Sequence, residues 1–423
     1  MNTTKNRFLL PLILITSLFF LWGFAHNLNP ILIPHLKKAC QLNNLQSSLV
    51  DSAFFIGYFL MALPAGMVMK RYGYKSGILL GLLLFALGAF LFYPAAEARV
   101  FGLFLTALFI IASGLTFLET AANPYIMVLG DADGATQRLN FSQSFNGLAA
   151  FLAPIIGGRY ILSGKTLTAQ ESAAMTPDAL NAYLNKEAAS VQLPYIIIGA
   201  VVLLVAVILW RTHLPEIKEE EVVADTTVKT RRSVFSYANL NWGLLAQFCY
   251  VGAQVCMVSF FIRFAETTAG MEEKSAAEYL GVAGGLFMAG RFIGTFLMKY
   301  VAPARLLLLY GIANIILLSL AIANGGMVAV YALIAVSFFM SIMFPTIFSL
   351  TLSGLDAETR KKGSSLLVMT IVGGAIFPVI MARIIDTQNI RIAYIVPAIG
   401  FLVVAWFAFR NVNNKSVVVS ASH

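Results

Sequence analysis

Apolar runs of about 20 residues, parted by short polar or charged breaks, recur from one end of the chain to the other. A helix rises about 1.5 Å per residue, so each run is long enough to cross the roughly 30 Å hydrocarbon core of a bilayer. The pattern predicts twelve spans: about 8–36, 47–69, 76–94, 100–128, 138–163 and 192–211, then 240–264, 276–298, 304–323, 326–352, 362–384 and 391–410. Between the sixth and seventh lies the longest charged stretch, Arg211 to Arg232, which holds Glu219, Glu220 and Glu221 and ends on Arg231 and Arg232. The chain therefore reads as an N-terminal six-helix bundle over 1–211, a polar linker over 212–238 and a C-terminal six-helix bundle over 239–423. Glycine and proline within spans, as in Leu63-Pro64-Ala65-Gly66, fit this reading, because neighbouring helices can satisfy the backbone groups they free. The expected fold class is an all-α polytopic membrane protein with twelve transmembrane helices in two six-helix halves.

Composition agrees. The chain is 59% hydrophobic and 12% charged over 423 residues, whereas soluble domains run nearer a quarter charged. Its solvent is a lipid bilayer. A net charge of +9 could suggest nucleic acid, but the basic residues sit in short clusters between apolar runs, which is an orientation signal. With both termini in the cytoplasm, 18 Lys and Arg fall in loops on that side and 10 on the other, so the expectation is termini inside and no nucleic-acid partner. The stretch 166–192 then lies outside as a polar cap. The N-terminal run Phe8 to Ala25 continues without a small-residue cleavage site and reads as the first span, not a removed signal. Cys40, Cys249 and Cys256 read as packing thiols. The histidines, at 26, 35, 213 and 423, are too scattered for a metal site, and no cofactor is expected.

Two halves of six spans joined by a charged loop describe a fold in which paired repeats surround a midplane site. The loop after the second span, Gly66-Met67-Val68-Met69-Lys70-Arg71-Tyr72-Gly73-Tyr74-Lys75, resembles the G-x-x-x-D-R-x-G-R-R signature of the major facilitator superfamily, with Lys70 in place of the acid. Longer strings are more specific. Phe20-Leu21-Trp22-Gly23, Asn27-Leu28-Asn29, Leu118-Glu119-Thr120-Ala121-Ala122-Asn123-Pro124 and Gln143-Ser144-Phe145-Asn146 are similar to the fucose:proton symporter family. So are Tyr250-Val251-Gly252-Ala253-Gln254, Gly290-Arg291-Phe292 and Phe344-Pro345-Thr346-Ile347-Phe348-Ser349-Leu350. The resemblance spans nearly the whole chain. It implies a monomeric bacterial inner-membrane symporter that takes up fucose, galactose, glucose or an N-acetylhexosamine.

Glu119 is the sharpest chemical signal. A carboxylate inside a span is expensive and usually faces a cavity, a partner or a proton path. The family implies that Glu119 couples protons and touches sugar; the alternative is a static acid bonded to neighbouring helices. Asn123 lies one turn on, and Gln143 and Asn146 share a face of the fifth span at i and i+3. Amides suit sugars because each offers donors and acceptors to adjacent hydroxyls, although they can equally hold membrane helices together. In the second half Gln247 and Gln254 lie at i and i+7, with Gln254, inside the family string, the better sugar ligand. Trp22 and Phe344 are the aromatic residues expected to stack on a sugar ring. Arg291, inside the eighth span, needs an anionic partner or water and reads as a structural or conformational residue at the cytoplasmic gate.

One departure from the family bears on coupling. The family's pattern on the first span is Asn-Leu-Asn-Asp, whereas here it is Asn27-Leu28-Asn29-Pro30, so a second coupling acid is missing. Asp51 opens the second span at a similar depth and is expected to take over as a second proton site. Sodium held by Asp51, Asn29 and the His26 carbonyl is the alternative, and a simple helix-capping role is a third. No nucleophile–base pair or paired metal site suggests an enzyme. Drug antiport on the same fold would call for a cavity dominated by aromatics, whereas this chain offers amides and one acid.

Overall fold

The computed structural model describes residues 9–42, 44–161, 171, 174–212, 214 and 234–412, and the chain is helical almost throughout them. Most of the expected linker, and the start of the expected outer cap, lie outside the described residues. Ten stretches are long and apolar enough to cross a membrane. One of these, Ser52–Ala98, is two crossings: the helix Asn44–Ala98 folds over at Gly73, where φ is 83° and a side chain would be strained. The fifth span, Ala135–Tyr160, does not stand out by apolarity because it carries Arg138, Asn140, Gln143 and Asn146. The described residues therefore make twelve crossings, which return the chain to the membrane face where it starts. That face is called the terminal face below.

In the first half, the hairpin of the second and third spans packs along the fourth span, Phe101–Val128, and the first span packs on the fifth. In the second half, the seventh span, Ala238–Ser259, packs on the eleventh and twelfth, and the ninth, Pro303–Ala323, packs on the twelfth, Ile395–Val412. A cap helix, Pro177–Ala189, covers the opposite face of the first half, as the sequence predicts for 166–192. Its buried Glu187 pairs with Lys38 at 3.1 Å and lies 3.7 Å from His35 at the end of the first span.

Several spans are broken, and in the first and tenth a proline marks where. A proline has no amide hydrogen, so the carbonyl four residues earlier loses its helical donor. The first span stops at His26 and resumes as Asn29–Ala39 around Pro30. The tenth runs as Gly326–Met340 and then Met343–Leu352, with Pro345 leaving the Ser341 carbonyl without a helical partner. In the fourth span Pro124 does the same to the Thr120 carbonyl without ending the helix. In lipid such groups must find other donors. Two of them do here: Arg291 Nε donates to Ser341 O at 2.8 Å and the Ser364 hydroxyl to Thr120 O at 2.7 Å, while the Tyr250 hydroxyl donates to Met340 O, at the break of the tenth span, at 2.9 Å.

The two halves meet near the terminal face through small and polar residues. Thr136 bonds Ser349 at 2.7 Å, Asn140 donates to Thr346 at 3.2 Å, and the Ser365 hydroxyl donates to Ala62 O. At the rim, Lys70 pairs with Glu358 at 2.6 Å, so the position that bears an acid in the superfamily signature holds a cation facing an acid on the eleventh span.

Candidate substrate and coupling site

The fourth span brings Glu119 to about two-thirds of its length, roughly 27 Å from Phe101 by the helical rise. It is 8% exposed. The Tyr58 hydroxyl, from the second span, donates to one carboxyl oxygen, and the other, Oε2, has no partner among the described residues. One turn on, the buried Asn123 accepts a hydrogen bond from Gln143 Nε2 at 3.2 Å through Oδ1, while its Nδ2 is unpartnered. The backbone of Gln143 faces the other way, its carbonyl accepting from Arg291 Nη1 at 2.6 Å. Asn146 is half-buried and lies against the first span, where a Cβ on Gly23 would come within 2.8 Å of its Cγ.

Glu119, Asn123 and Gln143 thus form one cluster on the facing sides of the fourth and fifth spans, with Asn146 one turn on from Gln143 and against the first span. Tyr58 completes it, and sequence reasoning missed it, because a tyrosine among apolar residues carries no spacing signal. The free atoms matter. A buried polar group without a hydrogen bond costs about 1–3 kcal/mol, and Glu119 and Asn123 each present one. Together they offer an acceptor and a donor to a polyhydroxylated solute.

Other expected residues fall elsewhere. Trp22 is fully buried, its ring 4.1 Å from that of Phe19, and its indole Nε1 has no hydrogen-bond partner among the described residues. Asn29 is buried just beyond the break in the first span, with Oδ1 unpartnered. Gln254 and Phe344 are half-buried in the second half, with Phe344 stacked on Phe348 at 6.3 Å and neither joined by a hydrogen bond to the cluster among the described residues. Gln247, ranked below Gln254 by sequence, is fully enclosed with both amide atoms unpartnered. The side chain of Asp51 lies outside the described residues.

Arg291, expected to need an anionic partner or water, pairs with no carboxylate among the described residues; it is 5% exposed and bonds two backbone carbonyls, Gln143 O and Ser341 O, with its guanidinium 4.7 Å from the Phe287 ring. Ser341 O is available because the tenth span is broken beside it. Arg291 therefore ties the fifth span of one half to the eighth and tenth of the other.

The sequence profile of the Major Facilitator Superfamily matches residues 13–371. The L-fucose-proton symporter of Escherichia coli is 44% identical over 96% of this chain and 94% of its own length. The glucose/galactose transporter of Brucella abortus is 40% identical over 96% of this chain and 95% of its own. A crystal structure of a major facilitator transporter, FucP, in the outward conformation is 42% identical and superposes with a TM-score of 0.87, covering 96% of this chain and 99% of that one.

Proposed function

The chain belongs to the major facilitator superfamily, and we propose that it imports a monosaccharide, a fucose, glucose, galactose or related hexose, by proton symport through alternating access. The observation that carries this reading is the cluster of Tyr58, Glu119, Asn123 and Gln143, enclosed by apolar spans and holding unpartnered carboxyl and amide atoms. The amides orient sugar hydroxyls. Glu119 exchanges its proton as its surroundings alternate between water and protein. The relatives named for L-fucose and for glucose/galactose support a sugar as substrate and protons as the driving ion. Gln254 and Phe344 would close on the sugar from the second half, and Arg291 would hold the terminal face shut. That face is read as cytoplasmic in a bacterial inner membrane, with the protein acting as a monomer in the bilayer.

Asp51 is proposed as the second titrating acid, in place of the one missing from the first span. Proteoliposome uptake of labelled fucose, galactose and glucose under imposed proton or sodium gradients tests both assignments. Wild type should accumulate sugar on a proton gradient alone. Glu119→Gln should lose accumulation but keep sugar exchange, which needs only alternation with sugar bound. Asp51→Asn should lower accumulation. Uphill uptake by Glu119→Gln at the wild-type level would remove its coupling role, and accumulation on sodium alone would replace the proton.

A further inference from the structure

On the lipid-facing side of the first half, a crevice of about 580 Å³ opens between the first, fifth and sixth spans. Its wall is apolar, built by Leu12, Ile13, Phe20, Phe141, Phe145 and Val205. From Leu12 to Leu21 it climbs nine residues, about 14 Å by the helical rise, which is close to one leaflet of a roughly 30 Å hydrocarbon core. It begins at the terminal face.

There it meets a second crevice of about 350 Å³, with Leu12 and Phe141 lining both. This one lies on the seam between the halves, with Gln137 and Arg138 of the fifth span on one wall and Thr295, Phe296 and Lys299 at the end of the eighth on the other. Gln137 bridges the walls, donating to Thr295 O at 3.4 Å. Arg138 is occupied by the carbonyls of Ile126 and Met127, at the end of the fourth span, and of Asp131 just beyond it. Lys299 stands over the Phe296 ring at 5.5 Å, and among the described residues no carboxylate forms an ion pair with it. An apolar trough one leaflet deep thus ends in a polar mouth with two cations.

We propose that the joined crevice binds one anionic phospholipid from the leaflet at the terminal face, an acyl chain in the trough and the phosphate beside Lys299. Length, apolar wall and charge each match that occupant. One wall of the mouth belongs to each half, so the lipid holds the terminal face closed.

Native mass spectrometry of the purified full-length protein, with palmitoyl-oleoyl phosphatidylglycerol or the matched phosphatidylcholine, tests the binding. Wild type should retain one phosphatidylglycerol in preference to phosphatidylcholine. Lys299→Gln should weaken retention about fivefold, the attraction of one lysine to an anionic headgroup. Val205→Trp, which fills the trough and leaves the charge, should weaken it also. Arg305→Gln, which removes a nearby exposed cation outside both crevices, should not. In nanodiscs, phosphatidylglycerol should shorten the distance between spin labels at the exposed Tyr72 and Tyr300 in wild type and not in Lys299→Gln. Equal retention of the two lipids by wild type, undiminished retention by Lys299→Gln, or an equal loss in Arg305→Gln would overturn the site.

Discussion

Replacing Arg291 with methionine should open the terminal face. The substitution keeps much of the side chain's volume and removes its two bonds, at 2.6 Å to Gln143 O and 2.8 Å to Ser341 O. Hydrogen bonds from a charged donor contribute about 1.5–3 kcal/mol each, but enclosing a guanidinium costs several kcal/mol. The two bonds therefore overstate its worth. What decides the outcome is the group left behind. Ser341 O has no helical donor because residue 345 is proline, and the closed seam admits no easy substitute. Leaving it bare costs about 1–3 kcal/mol. Gln143 O lies within an intact helix and loses less. In the open arrangement water reaches both carbonyls, so the penalty falls on the closed state alone. The expected shift is about 5- to 150-fold toward the open terminal face, at about 1.4 kcal/mol per factor of ten. Spin labels at Tyr72 and Tyr300 read it as a longer distance distribution in nanodiscs. Arg291→Lys, which can still reach one carbonyl, should fall between. Wild-type distances in Arg291→Met, with the protein folded, would refute the reasoning.

Three further outcomes follow from the same contacts. Alanine at Gln143 or Asn146 should weaken equilibrium sugar binding by about 1–3 kcal/mol, the loss of a buried polar partner; unchanged calorimetric affinity in both would place the sugar elsewhere. Gly66→Val should block closure of the terminal face, since a Cβ there would stand 2.8 Å from Ser365 Cβ across the seam, and the label distance should lengthen with the melting temperature little changed. Ser364→Ala should bare the Thr120 carbonyl and shift the closed–open equilibrium read by the labels toward open by about 1 kcal/mol. Adding Pro124→Ala restores a helical N–H to that carbonyl and should reverse the shift, so additive effects in the double variant would dismiss the proline explanation.

Hydropathy located every crossing, because each span must hide its backbone and most of its side chains from lipid and water alike. The sixth, expected at 192–211, is Gln192–Arg211, and the ninth, expected from 304, begins at Pro303. The fifth, expected at 138–163, is Ala135–Tyr160, although its polar side chains make it the least apolar of the crossings. Within the site, Glu119, Asn123, Gln143 and Asn146 were legible because polar side chains in lipid need a reason to be there. The facing of uncharged rings was not legible: Trp22 satisfies the same apolar pattern whether it lines a cavity or fills a core. Nor were the partners of Arg291, which are backbone atoms and leave no trace in side-chain spacing. Pro345 was the available sign, since it announces a bare carbonyl at Ser341.

The proposed substrate site and the seam share Gln143 and adjoin at Glu119–Thr120, and this gives alternation a physical route. Gln143 binds Asn123 through its side chain and Arg291 through its carbonyl. Glu119 carries the acid, and the next residue, Thr120, offers the carbonyl that Ser364 takes from the other half. A solute that draws on the Gln143 amide, or a proton that alters the Glu119–Tyr58 contact, therefore displaces backbone that the seam holds. The seam can respond because it is hydrogen-bonded and not greasy. Helices in lipid gain no hydrophobic energy by meeting, and each bond is worth about 1 kcal/mol once water is the alternative. Thr136–Ser349, Asn140–Thr346, Ser364–Thr120 and the Arg291 pair together amount to a few kcal/mol, a gap that differential binding of a sugar and a proton can reverse. A packed apolar interface in their place would close the terminal face and leave nothing in the site able to open it.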